Sequence, residues 1–133
     1  MWVRLGDVRE RLGAFDLALD AYRRAAQLVV GDSVHAASMS LKRARARERS
    51  GAYRAALGEI TTGLRKLDAA ATSDASLRAR LLVFRAVVRQ AQSRKLEALT
   101  VAGEAAEAAI AAGDDLALAQ AYMVIDWARQ ELG

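Results

Sequence analysis

The sequence predicts an all-α chain of about seven helices, and three observations predict it. Its 133 residues include no proline and 31 alanines, so little breaks a helix and much favours one. No stretch keeps the strict apolar/polar alternation of a half-buried strand. Glycines and short polar clusters stand where turns between helices belong.

The first helix is expected over 2–12, ended by Gly13, and the second over 15–29. Gly31-Asp32-Ser33 then offers a terminating glycine followed by capping side chains, which places the third helix at 33–49. Ser50-Gly51 is a tight break before a fourth helix over 52–70. Thr72-Ser73-Asp74 is a polar break with capping side chains, and the fifth helix follows over 75–92. A sixth is expected over 94–112. Gly113-Asp114 repeats the glycine-then-cap device before the last helix, 115–132. Connections of only a few residues force consecutive helices to lie antiparallel.

Composition excludes several function classes. The length suits one domain. Without cysteine there is no disulfide scaffold, thiolate nucleophile or cysteine-based zinc site, and a single histidine, His35, removes multi-histidine metal sites. At the start of a helix, His35 reads as an exposed first-turn residue. No apolar run is long enough to span a membrane, and the start has no signal-peptide architecture. The formal charge is +4, carried by 17 arginines and 3 lysines against 16 acidic residues. The excess lies in the first half, so acidic partners would be steered there. Asp16/Asp20 and Glu104/Glu107 each place two carboxylates on one helix face. Acid/base work needs an enclosure that splits two pKa values, and nothing predicts one, so these read as solvated faces. No catalytic residue, metal or cofactor is expected.

The segments repeat. Gly13, Gly51, Ser93 and Gly133 are markers 38, 42 and 40 residues apart. Alanine then leucine follows each internal marker at Ala18-Leu19, Ala56-Leu57 and Ala98-Leu99. Arginine precedes every marker by four, at Arg9, Arg47, Arg89 and Arg129, and a short side chain precedes it by seven, at Gly6, Ala44, Ala86 and Asp126. Small residues recurring where helices cross allow close approach, and helix pairs at this period mean a stacked array.

Trp2-x-x-Leu5-Gly6, Gly13-x-Phe15 and Ala18-x-x-x-Tyr22-x-x-Ala25 resemble the tetratricopeptide repeat pattern. The second unit keeps Ala44, Gly51, Tyr53, Ala56 and Ile60. The third keeps Leu82, Ala86, Ala98 and Ala105, and the fourth supplies one helix with Tyr122 and Ile125. Arginine replaces the family's usual tyrosine in every unit, the trailing proline is absent, and the units exceed the usual length. The resemblance implies an α-solenoid with units 1–31, 32–72 and 73–113 and a half unit 114–133. Several segments, among them RLGDVRERLGAFDLALDAYRRA, look like the repeats of actinobacterial signalling proteins that join an adenylate/guanylate cyclase domain or an AAA-type ATPase to such arrays. What that implies is a non-catalytic interaction segment of a larger cytoplasmic protein, with any cyclase or ATPase activity elsewhere.

The resemblance places a peptide-binding groove on the first helix of each unit, lined by Val3, Asp7, Leu41, Arg45, Arg49, Arg80, Val83, Val87, Met123 and Trp127. That mixture fits an acidic peptide or an amphipathic helix. The arginine row admits two readings: it binds an acidic ligand, or each arginine pairs with a neighbouring unit's acid such as Asp7, Glu48 or Asp126. The apolar last helix makes Leu118, Tyr122, Ile125, Trp127 and Leu132 candidates for self-association, and Trp2 leaves a smaller bare patch at the other end. Lys42, Arg43, Arg45, Arg47, Arg49 and Arg54 form a basic stretch that could meet phosphates. They wrap around the helix, however, and Tyr53 is the only aromatic nearby, so nucleic acid is the weaker alternative.

Overall fold

The computed structural model describes residues 2–25, the backbone of 26–28, and residues 32–70 and 74–133. The described residues form seven α-helices and no strand: α1 (Trp2–Arg11), α2 (Phe15–Leu28), α3 (Ser33–Arg49), α4 (Tyr53–Asp68), α5 (Ala75–Ala91), α6 (Lys95–Ala112) and α7 (Asp115–Leu132). Gly31, Thr72 and Ser73, expected as breaks, lie outside the described residues.

Two devices shape the described turns, and the α6–α7 turn carries both: Gly113 (φ +67°) closes α6 with its own N–H on Ile110 O and Asp114 N–H on Ala109 O, and Asp114 then caps α7. Inside each hairpin the chain turns on one residue with left-handed φ: Gly13 (+79°), Gly51 (+84°) and Ser93 (+59°). Around each, two backbone bonds close the preceding helix. Ala14 N–H reaches Arg9 O at 2.8 Å, Ala52 N–H reaches Arg47 O at 2.8 Å, and Arg94 N–H reaches Arg89 O at 2.9 Å. The turn residues themselves bond Glu10, Glu48 and Gln90. This is the Schellman closure, and it explains why a marker recurs in phase even where serine replaces glycine. The hairpins are separated by aspartate caps. Asp32, Asp74 and Asp114 stand in extended backbone and accept from His35, Leu77 and Ala117 N–H at 3.0, 2.9 and 3.1 Å. Each satisfies one of the orphan donors of the helix it opens.

Consecutive helices pack as pairs, α1 on α2, α3 on α4 and α5 on α6. Length alone suggests one domain; the contacts fall into two compact units, residues 1–73 and 74–133. In the first, α2 also packs on α3. Its core gathers Ala18, Tyr22, Ala25 and Met39, with Trp2 and Val3 against them. Trp2 is therefore not the bare end patch expected: it is half-buried, and Arg24 stacks 5.0 Å from its ring centre. Gly6 is buried because a Cβ there would overlap the Tyr22 ring.

In the second unit α7 lies against both α5 and α6. Ala79, Val83, Ala105, Ala106, Ala109, Ala117 and Ala121 form one cluster, and Ala86, Ala98, Ala102 and Val124 a second. Alanine faces let helix axes approach closely, and close packing leaves little room for a larger side chain. The repeat is visible in burial. Ala44 and Ala86, Ala56 and Ala98, Ile60 and Ala102, Gly63 and Ala105, and Leu67 and Ala109 are all buried, each pair 42 positions apart. The small-residue series fails at its last member, because Asp126 is exposed.

Candidate functional site

In the first unit, charged side chains tie α1 and α2 to α3. Tyr22 is fully buried, and its hydroxyl lies 2.6 Å from Asp7 Oδ1 and 3.0 Å from Glu10 Oε2, so that the two carboxylates share its one proton as acceptors. Lys42 Nζ donates to the same Asp7 oxygen at 2.8 Å, and Arg49 Nε lies 3.3 Å from Glu10. Burial, followed by the bonds to Asp7 and Glu10, pushes the Tyr22 hydroxyl far above its usual range, so it stays a donor. Burial alone would raise Asp7, but the Lys42 and Tyr22 bonds outweigh it and hold the carboxyl below its ordinary value. Between α3 and α4, Glu59 receives Arg43 Nε at 3.1 Å and Arg47 Nε at 3.4 Å, and Arg43 also donates to Ser40 Oγ at 3.1 Å.

In the second unit Asp114 does more than cap α7. Its carboxylate also accepts from Ser76 Oγ at 2.5 Å and Arg80 Nε at 2.8 Å, fastening the start of α5 to the α6–α7 turn. The Ser76 bond, the Ala117 N–H and Arg80 hold its pKa at about 2. A carboxylate depressed on folding stabilises the fold above its unfolded value and loses that contribution as pH falls toward the folded one. Asp114→Asn should therefore melt below wild type at neutral pH, with the gap closing between pH 3.8 and about 2. Thermal melts across that range measure it; a gap that persists at the acid end would mean the charge is not what Asp114 contributes.

The arginine row has architectural partners, but not those expected. Arg9 Nη1 donates to Leu17 O at 3.1 Å, Arg47 pairs with Glu59, and Arg89 Nε meets Glu97 at 3.3 Å. Each reaches the second helix of its own hairpin, where the expected partners were neighbouring-unit acids. The short turn brings that helix back alongside the arginine. Arg129 is exposed.

Within each unit, several residues of the expected groove are covered. Leu41 and Val83 are buried at 5% and 3% exposure, and Val3, Val87 and Trp127 pack against core clusters. Asp7, Arg49 and Arg80 are held in ion pairs, although both arginines keep about half their side-chain surface. Arg45 and Met123 remain outward-facing. The self-association set also divides. Leu118, Ile125 and Trp127 pack inward, while Tyr122 and Leu132 are exposed. Met123, expected in the groove, is 70% exposed on that outer face, and Leu116, which sequence reading did not single out, is 63% exposed beside it. Their helical spacing of seven was the available signal.

The basic stretch of α3 is largely neutralised, since Lys42, Arg43, Arg47 and Arg49 all sit in ion pairs. His35 is half-buried, not exposed: its Nε2 lies 3.3 Å from Ala25 O. Asp20 pairs with Arg24, whereas Asp16, Glu104 and Glu107 are exposed. Among the described residues no group of three His, Asp or Glu side chains could hold a metal ion, and no helix is long and apolar enough to cross a membrane. The molecule is thus an all-α chain of repeated helical hairpins. No protein-family model matches the sequence, and no curated protein does.

Proposed function

We propose that this chain is a non-catalytic protein-interaction module, a tetratricopeptide-like α-solenoid serving as a regulatory segment of a bacterial multidomain signalling protein in the cytoplasm. The carrying observation is that α3–α4 and α5–α6 repeat the same buried positions and the same two caps 42 residues apart. Chains assembled from one repeated hairpin keep outward helix faces, and such arrays use those faces to bind partners. Leu116, Met123 and Tyr122 on α7 supply apolar area for a partner. The ion pairs along α3 leave less free positive charge than a nucleic-acid array would use.

The same exposed α7 residues favour self-assembly as a second reading, with another copy as the partner. One double variant, Leu116→Glu with Met123→Glu, tests both. Neither side chain contributes to a core cluster, so helix content should stay unchanged. The interaction reading expects the variant to lose a protein partner that wild type captures reproducibly. Self-assembly expects wild type to sediment as an oligomer that dissociates on dilution, and the variant as a monomer throughout. Unchanged capture and unchanged size would remove α7 as an interaction face.

A further inference from the structure

The repeat exposes a half-filled ion-pair site. Arg43 on α3 is 8% exposed, and its guanidinium is satisfied by Glu59 and Ser40. Forty-two residues on, the position of Arg43 is Arg85, that of Ser40 is Leu82 and that of Glu59 is Val101. Both acceptor positions hold hydrocarbon side chains there, while the arginine is present in both hairpins. Arg85 is half-buried and, among the described residues, makes no hydrogen bond or ion pair. Arg89, one turn along α5, is already committed to Glu97 at 3.3 Å and Gln92 at 3.1 Å. The charge of Glu104 bears on Arg85 through space, without an ion pair between them among the described residues.

A guanidinium carries five donors, and withdrawing it from water without an acceptor is costly. Burial pushes the Arg85 pKa down, Glu104 offsets part of this, and the Arg89 and Arg78 charges add to it. The equivalent site in the other hairpin indicates what would satisfy it: there Arg43 holds the Glu59 carboxylate. One unneutralised guanidinium also matches one negative charge, which favours a carboxylate over a doubly charged phosphate.

We propose that Arg85 is a docking socket for a glutamate or aspartate side chain presented by a protein partner, which completes from outside the ion pair that Glu59 completes from within. The proposal rests on the interaction-module reading and names the partner's chemistry at one point. Opposite a partner carboxylate, Arg85 would offer the planar two-donor edge suited to bidentate pairing.

The test uses the full chain and a fluorescently labelled, end-blocked hexaglutamate peptide, followed by anisotropy. Wild type should bind saturably. Arg85→Gln should weaken binding about tenfold or more, as loss of one partner of a desolvated charge pair does. Val101→Glu should weaken it similarly by filling the socket from inside, and should raise the melting temperature by about 2–5 °C. Equal binding by wild type and Arg85→Gln would place the peptide elsewhere; that overturns the socket and leaves the interaction module standing. Binding that appears only in Glu104→Gln would mean that Glu104 already fills Arg85, which also overturns it. So would a wild-type chain that binds no peptide while Val101→Glu fails to raise the melt. Partner capture through Leu116 and Met123 reports separately on the module itself.

Discussion

A Tyr22→Ala variant is expected to unfold residues 1–73 under conditions where wild type is folded. The ring is fully buried among Ala18, Ala25 and Met39, with Trp2 and Val3 packed around it. Truncating a buried aromatic to alanine costs roughly 3–5 kcal/mol. Small domains have a total stability that begins at about 5 kcal/mol, so most of the margin goes. The loss also removes the phenol that binds Asp7 and Glu10 and holds α1 against α2. Tyr22→Phe separates the two contributions. It keeps the ring, and Asp7 and Glu10 keep Lys42 and Arg49, so its cost should be about 1 kcal/mol. Urea titration followed through Trp2 fluorescence, in a Trp127→Phe background, reports on this unit. Equal losses for the two variants would show that the hydroxyl, not the ring, carries the weight.

The second large effect is expected from adding volume to the alanine seam. Ala98 is fully buried on α6, in one cluster with Ala86, Ala102 and Val124. Leucine there needs space that close-packed helices do not have, at a cost of about 1–3 kcal/mol. Ala56→Leu, 42 residues earlier and equally buried, should behave alike. Ala111→Leu is the control: it is exposed on the same helix as Ala98 and should stay within about 0.5 kcal/mol of wild type. Melting curves decide it. An Ala98→Leu protein with an unchanged midpoint would show that the seam has slack.

Much of the local architecture was legible because it depends on short-range chemistry. The seven helices lie within two residues of their expected ends wherever those ends are described. Asp32, Asp74 and Asp114 cap as their sequence context implies, since an N-cap needs only a carboxylate and the N–H groups beyond it. Ser93 was recognised by phase and not by residue type, and it adopts the same left-handed turn as Gly13 and Gly51. Ala18, Ala56 and Ala98 were placed at helix contacts by the same repeat, and all three are fully buried.

The candidate site was less legible, and for one reason. Periodicity tells which residues share a helix face, but not what lies opposite that face. Leu41 and Val83 share a helical register with exposed residues and yet are covered. Trp127 shares α7 with exposed Met123 but packs against the cluster of Ala86, Ala98, Ala102 and Val124. Ion-pair partners have the same character. Glu59 sits 12 and 16 positions from its two arginines, and Lys42 sits 35 positions from Asp7, separations that no local pattern marks. Helix limits, caps and repeat phase follow from neighbours along the chain, whereas burial and charge pairing follow from neighbours across it. Arg85 lies at that boundary: its kinship with Arg43 can be read from spacing, but what such an arginine pairs with became visible only when α3 was seen against α4.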